Sequence, residues 1–238
     1  MLALLPLLGV ASGALTTLAG LGGGILLLLA LSLVWGPTAA LVITAPALLL
    51  SNLHRFWMYR RDIDRRVAGS FIAGALPGSL VGGLLAARVP EGLLAWMMVG
   101  MTALALARSF GVWSWKPQAA LLLPAGAGIG VLTGTSGGAG VLVAPLLLSA
   151  GLSGQAYVAT AAVCAVAMHT GRVAAYGAGG LLTEETLIRT GILTGALLIG
   201  NLVGKRLRAR LLDERRAQRL EMATLVVCVG LSLAGLGR

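Results

Sequence analysis

QAALLLPAGAGIGVLTGTSGGAGVLVAPLLLS, residues 118–149, is an unbroken apolar stretch that one membrane span cannot hold. At about 1.5 Å per residue a straight helix of that length reaches about 48 Å, whereas a bilayer's hydrocarbon core is about 30 Å thick. The excess falls beside Gly134-Thr135-Ser136-Gly137-Gly138-Ala139-Gly140, where a straight helix is disfavoured. The stretch therefore reads as two helical limbs around a glycine-rich break. Residues 2–33 repeat the pattern, with Gly20-Leu21-Gly22-Gly23-Gly24 at the corresponding place.

Composition sets the class around these stretches. Of 238 residues, 58% are hydrophobic and a further 35 are glycine. Charged residues are 11%, less than half the roughly 25% of an ordinary soluble domain. A soluble globule could not cover its surface with so few charges, and disordered chains are poor in apolar residues. The chain reads as an all-α polytopic membrane protein, with the lipid bilayer as its surroundings. The net charge of +10 does not indicate nucleic acid, because the basic residues sit in short runs between apolar segments rather than in one patch. Cys164 and Cys228 lie in separate apolar stretches without ligand spacing, so they read as small buried hydrophobes, and neither a metal nor a cofactor is expected. Met1 to Gly20 lacks the basic n-region of a cleaved leader, and its glycine pattern recurs later, so it reads as part of the fold.

The recurrence extends further. Gly24, Ala40 and Thr44 return as Gly140, Ala156 and Thr160 at an offset of 116. Gly74 and Gly78 return as Gly191 and Gly195, and Arg55 as Arg172, at 117. The expected organisation is a first repeat, 1–107, a cytoplasmic linker, 108–117, and a second repeat, 118–238. Each repeat is a glycine-broken helical hairpin plus three transmembrane helices. Charge selects the hairpin: if each broken stretch returns to its starting side, segments 55–66, 108–117 and 205–219 share one side. Only Arg88, Arg172, Arg189 and Arg238 then lie elsewhere, as the positive-inside rule favours. The repeats are then inverted relative to each other and both termini are non-cytoplasmic, an arrangement used by secondary transporters.

At this point the sequence resembles the sulfite exporter TauE/SafE family of bacterial membrane transporters, over nearly the whole chain. The resemblance rests on Gly13 to Gly24 with its triple glycine and on Gly130 to Pro145, a glycine-rich run followed by Pro-x-Leu. It also rests on Ala156-Tyr157-Val158-Ala159-Thr160 and the basic turn Tyr59-Arg60-Arg61-Asp62-Ile63-Asp64. The chain departs from the pattern at Leu29, where the second repeat has Pro145, and at Asp62, where the turn usually has glycine. The family implies secondary transport, in the exporting direction, of small sulfur-containing anions such as sulfite or organosulfonates across the inner membrane. A second copy of the chain is a further potential partner.

The candidate substrate-binding residues are Gly22, Gly23 and Gly24 at the first break, Gly137, Gly138 and Gly140 at the second, with Thr44, Thr160, Arg55 and Arg172. Backbone N–H groups at a glycine break, with the positive end of a half-helix, suit an anion; the alternative for glycine is close helix packing. Further hydroxyls near the breaks are Thr16, Thr17, Thr133, Thr135 and Ser136. Arg55 and Arg172 are costly charges at membrane depth. His54 and His169 are candidates for carrying a coupling proton. The expected site has the two tips meeting near the midplane, Thr44 and Thr160 flanking the anion, and the arginines drawing it in from either side. Two other readings are an anion channel and a rhomboid-like intramembrane serine protease, the latter from Gly134-Thr135-Ser136-Gly137 with His169 as base. The first break lacks a serine, so duplication accounts for the glycine run without catalysis.

Overall fold

The computed structural model describes residues 3–19, 23–110, 119–211 and 214–236. Gly22, most of the linker and Asp213 lie outside the described residues, which form ten α-helices and no strand. In the first half these are α1 (Leu4–Ala19), α2 (Gly23–Trp35), α3 (Pro37–Tyr59), α4 (Arg65–Ala86) and α5 (Glu91–Ser109). In the second they are α6 (Leu122–Ser136), α7 (Val143–Ser149), α8 (Gly154–Ala178), α9 (Glu184–Leu211) and α10 (Glu214–Leu236). Both long apolar stretches are broken at their glycines. α1 has 16 residues and α6 has 15, or about 22–24 Å, short of the hydrocarbon core. Gly137 ends α6 in the left-handed region, at φ 75°, with its N–H on Thr133 O at 2.9 Å, which glycine adopts without a Cβ penalty. Pro37 opens α3, and Asp64 caps α4 by accepting from Arg66 N and Val67 N.

Interhelical contacts fix the chain direction. A β-carbon on Gly74, Gly78 or Gly82 of α4 would collide with the carbonyls of Leu123, Ala127 and Val131 of α6, in that order. The two helices therefore run parallel with backbones touching, as small residues permit. Gly9 and Gly13 of α1 meet Leu193 and Leu197 of α9 in the same way, so this pair is parallel too. Thr190 bonds Ile43 O and Asn201 bonds Ser51, which aligns α3 with α9. Asp64 N bonds Thr160 at one end and Arg172 bonds Leu41 O at the other, so α8 runs against α3. Trp35, ending α2, lies under the Arg189 guanidinium near the start of α9. The first hairpin thus enters from, and returns to, the end carrying Gly36, Glu91 and Glu184. The second enters from the opposite end, beside Tyr59–Arg66.

The packing partners exchange between halves: α1 on α9 answers α6 on α4, and α3 on α9 answers α8 on α4. One register differs from the sequence reading. Nothing lies within 4 Å of a β-carbon on Gly191 or Gly195. The residues that approach α1 as Gly78 and Gly82 approach α6 are Gly200 and Gly204, at an offset of 122. Five more residues separate Tyr176 from Gly200 than separate Tyr59 from Gly78; the connections 60–64 and 179–183 are equally long, so the extra residues lie within α8 and α9 and shift the register.

Among the described residues, α3, α4, α8 and α9 are long and apolar enough to cross a membrane. Leu7, Trp57, Val81, Trp96, Ile188 and Ile199 are exposed. Apolar exposure on that scale suits lipid rather than water. The chain is an all-helical, multi-pass membrane protein.

Candidate functional site

The two hairpins pass each other at the centre. The first hairpin, at Thr17 near the end of α1, reaches the level of Ser51 on α3, since Thr17 and Ser51 both bond Asn201. The second reaches the level of Leu41, whose side chain would meet a β-carbon on Gly137. Between them lies a cavity of about 120 Å³. From the tips it is lined by Thr16, Thr17, Gly24, Gly137, Gly138 and Gly140. The spans add Ser51, Asn52, Arg55, Tyr59, Thr133 and His169, with Tyr157, Val158 and Ala161 opposite. It runs from buried His169 to half-exposed Tyr59 and Tyr157 at the arginine-rich end.

Of the residues expected from sequence, Gly24, Gly137, Gly138, Gly140, Arg55 and His169 share this cavity. Gly23 sits against α1, where Ser12 Oγ donates to its carbonyl at 2.6 Å. Thr44 and Thr160 are fully buried outside the lining. Thr44 commits its hydroxyl proton to Ala40 O at 2.7 Å, and Thr160 Oγ1 accepts from Asp64 N at 3.1 Å, tying the α3–α4 turn to α8. His54 lies outside the lining, and its buried Nδ1 has no partner. Thr16 and Thr133 line the cavity but donate to carbonyls of their own helices, the usual habit of a helical threonine.

The two arginines differ sharply in their surroundings. Arg172 is 0% exposed and sits behind His169. Its NH2 donates to Leu41 O at 3.2 Å, its NH1 lies 3.3 Å from His169 Nδ1, and its Nε is 3.4 Å from Tyr176 Oη. Tyr176 Oη in turn donates to Gly134 O at 2.9 Å, beside the second tip. Arg55 lines the cavity; it donates to Asn52 Oδ1, and its buried Nε has no partner. Among the described residues no carboxylate pairs with either arginine; the ion pair found is Arg189–Glu185. A fully buried Arg172 and a half-buried Arg55 without a carboxylate counterion among the described residues are costly.

The family model for the sulfite exporter TauE/SafE family matches residues 5–233. The chain belongs to that family. Comparison with curated proteins and with solved structures gives no match. As a TauE/SafE member the chain is a transporter by family, and the cavity between its hairpin tips is where its pathway should be sought. The residues of the protease reading are not arranged as a dyad: Ser136 Oγ donates to Leu132 O at 2.7 Å, while His169 Nδ1 faces Arg172.

Sequence reasoning missed Ser51, Asn52, Tyr59 and Asn201. Asn201 Nδ2 donates to Ser51 Oγ at 2.9 Å, which leaves the Ser51 proton available to the cavity. A signal was present. Asn52, Arg55 and Tyr59 recur as His169, Arg172 and Tyr176 at the single offset of 117, and both i,i+3 pairs make the equivalent side-chain bond.

Proposed function

We propose that this protein exports small sulfur-containing anions, such as sulfite or organosulfonates, across the bacterial inner membrane as a secondary transporter. Its repeats, 1–107 and 118–238, are inverted and joined by a cytoplasmic linker at 108–117, with both termini outside the cytoplasm. The arginine-rich end, with Arg60, Arg61, Arg65 and Arg66, is the cytoplasmic one. The observation that carries the reading is Arg55: a cavity-lining guanidinium with an unpartnered Nε and, among the described residues, no carboxylate paired with it. Gly24 and Ile25, in the first turn of α2, face the same space, bringing a helix N-terminus and its partial positive charge to bear on an anion. Ser51 adds a hydroxyl donor.

The cavity volume suits an anion of a few heavy atoms. One guanidinium with a hydroxyl and backbone groups binds an oxyanion without the fully enclosed Arg–anion pairing that would slow release. Gly24, Gly137, Gly138 and Gly140, which line the cavity, supply the close backbone approach, with Arg172 held in reserve behind His169.

Binding of sulfite, thiosulfate, sulfoacetate and taurine to purified protein, with Arg55→Ala as control, tests the reading. One or more should bind to the wild type and lose at least about tenfold in affinity in the variant, since a charge-assisted hydrogen bond contributes about 1.5–3 kcal/mol. Equal binding by both proteins, or none by the wild type, would overturn it.

A further inference from the structure

The offset of 117 relates more than the two arginines: it relates their bonding partners, and the bonds are made in one half alone. In the second half, Arg172 donates to Leu41 O and Tyr176 to Gly134 O. The residues 117 positions from those acceptors are Val158 for Leu41 and Thr17 for Gly134. Arg55 makes no bond to Val158, and Tyr59 makes none to Thr17. Yet Arg55, Tyr59, Val158 and Thr17 all line the cavity. The cavity is thus the space across which the first half has not made the two bonds that the second half has.

We propose that Arg55–Tyr59 and Arg172–Tyr176 are alternating latches, one made while the other is open. In the state described here the Arg172 latch ties α8 to α3 and to α6, and seals the end carrying Gly36. In the alternate state Arg55 donates to Val158 O and Tyr59 closes on Thr17, sealing the arginine-rich end. Arg172 then releases Leu41 O, Tyr176 releases Gly134 O, and a second anion-accepting cavity opens toward the other end. The residue that answers cavity-lining Ala161 at this offset is Thr44, now 0% exposed. Thr44 therefore lines the second cavity, and Arg172 takes there the place that Arg55 has here. Halves related by such a spacing but caught in unlike states are what alternating access between repeats requires. Each state needs both latches to be weak enough to break: the bonds made here are single hydrogen bonds rather than a carboxylate pair, which favours exchange.

The inference rests on the cavity being the transport route but not on the identity of the substrate, so it is tested without one. Thr44→Cys and Ala161→Cys are placed separately in a Cys164→Ala, Cys228→Ala background. Each is challenged with a membrane-impermeant maleimide from either side of sealed vesicles. With intact latches Ala161→Cys should react from the arginine-rich side and Thr44→Cys hardly at all. Adding Tyr176→Phe, which removes one latch bond and little volume, should speed Thr44→Cys labelling from the opposite side at least about fivefold and slow Ala161→Cys labelling. Arg172→Ala should do so more strongly where size-exclusion chromatography shows a folded protein. Tyr59→Phe should not speed Thr44→Cys labelling. If Thr44→Cys stays unreactive and Ala161→Cys keeps its rate in folded Tyr176→Phe protein, the latches do not exchange; anion binding to the Arg55 cavity would still stand or fall on the binding panel.

Discussion

Asn52–Arg55–Tyr59 and His169–Arg172–Tyr176 occupy the same positions on α3 and α8, yet one is a half-satisfied group facing a cavity and the other a buried strut. Arg172 touches a carbonyl, a histidine and a tyrosine; Arg55 has one side-chain partner and an orphaned Nε. Identical spacing has given opposite surroundings: the second hairpin closes against its arginine, with Arg172 beside Gly137 and Tyr176 on Gly134 O, while Arg55 faces the cavity lined by Thr17 and Gly24. The lesson is that position in the repeat alone does not reveal how an arginine is surrounded.

The α4–α6 and α1–α9 ladders hold the halves in place. The largest effect should therefore come from Gly130→Val, whose new atoms would press on the backbone of Ala75 and Ser79. We expect a loss of about 3 kcal/mol or more, at the upper end for overpacking, whereas Gly191→Ala, with open space around it, should stay within about 0.5 kcal/mol. Thermal unfolding in detergent measures both. Next, Arg172→Ala should lose about 2–4 kcal/mol, through an emptied core position and orphaned acceptors. Arg55→Ala should unfold close to wild type while transport falls at least about tenfold. Equal destabilisation of the two would erase the distinction. On a smaller scale, Tyr176→Phe should lose about 1 kcal/mol by leaving Gly134 O unpaired, and Tyr59→Phe much less. Smallest of all, Ser136→Ala should leave both transport and stability nearly unchanged, since its hydroxyl only bonds its own helix; a loss of membrane-substrate cleavage in that variant would instead revive the protease reading.

Much of this architecture is legible in the sequence, for physical reasons. Helix rise against bilayer thickness forces a break in residues 2–33 and 118–149, and glycine marks where each break falls. Arg55 and Arg172 stand out because charge is rare at membrane depth. The register of α9 is less accessible: Gly191 and Gly195 match Gly74 and Gly78 by residue type, but extra residues at the end of α8 and the start of α9 transfer the packing role to Gly200 and Gly204. Asn52 and His169 escape pairing because they differ in type while sharing one job, holding an arginine three residues on. Thr44 and Thr160 draw attention as polar residues in apolar spans, yet a helical hydroxyl can satisfy itself on its own backbone. In helices apolar on all sides, sequence cannot say which face lines a cavity, and so Ser51 and Asn201 are found only by their contacts.

Gly140 offers the most direct measurement of the central claim, that anions pass through the cavity between the tips. It lines that cavity, and a β-carbon there meets nothing within 4 Å, so Gly140→Leu fills the route without pressing on the fold. Sulfite flux into proteoliposomes should be saturable for the wild type and at least about tenfold lower for Gly140→Leu at equal reconstitution. Flux in the variant equal to wild type would contradict the account.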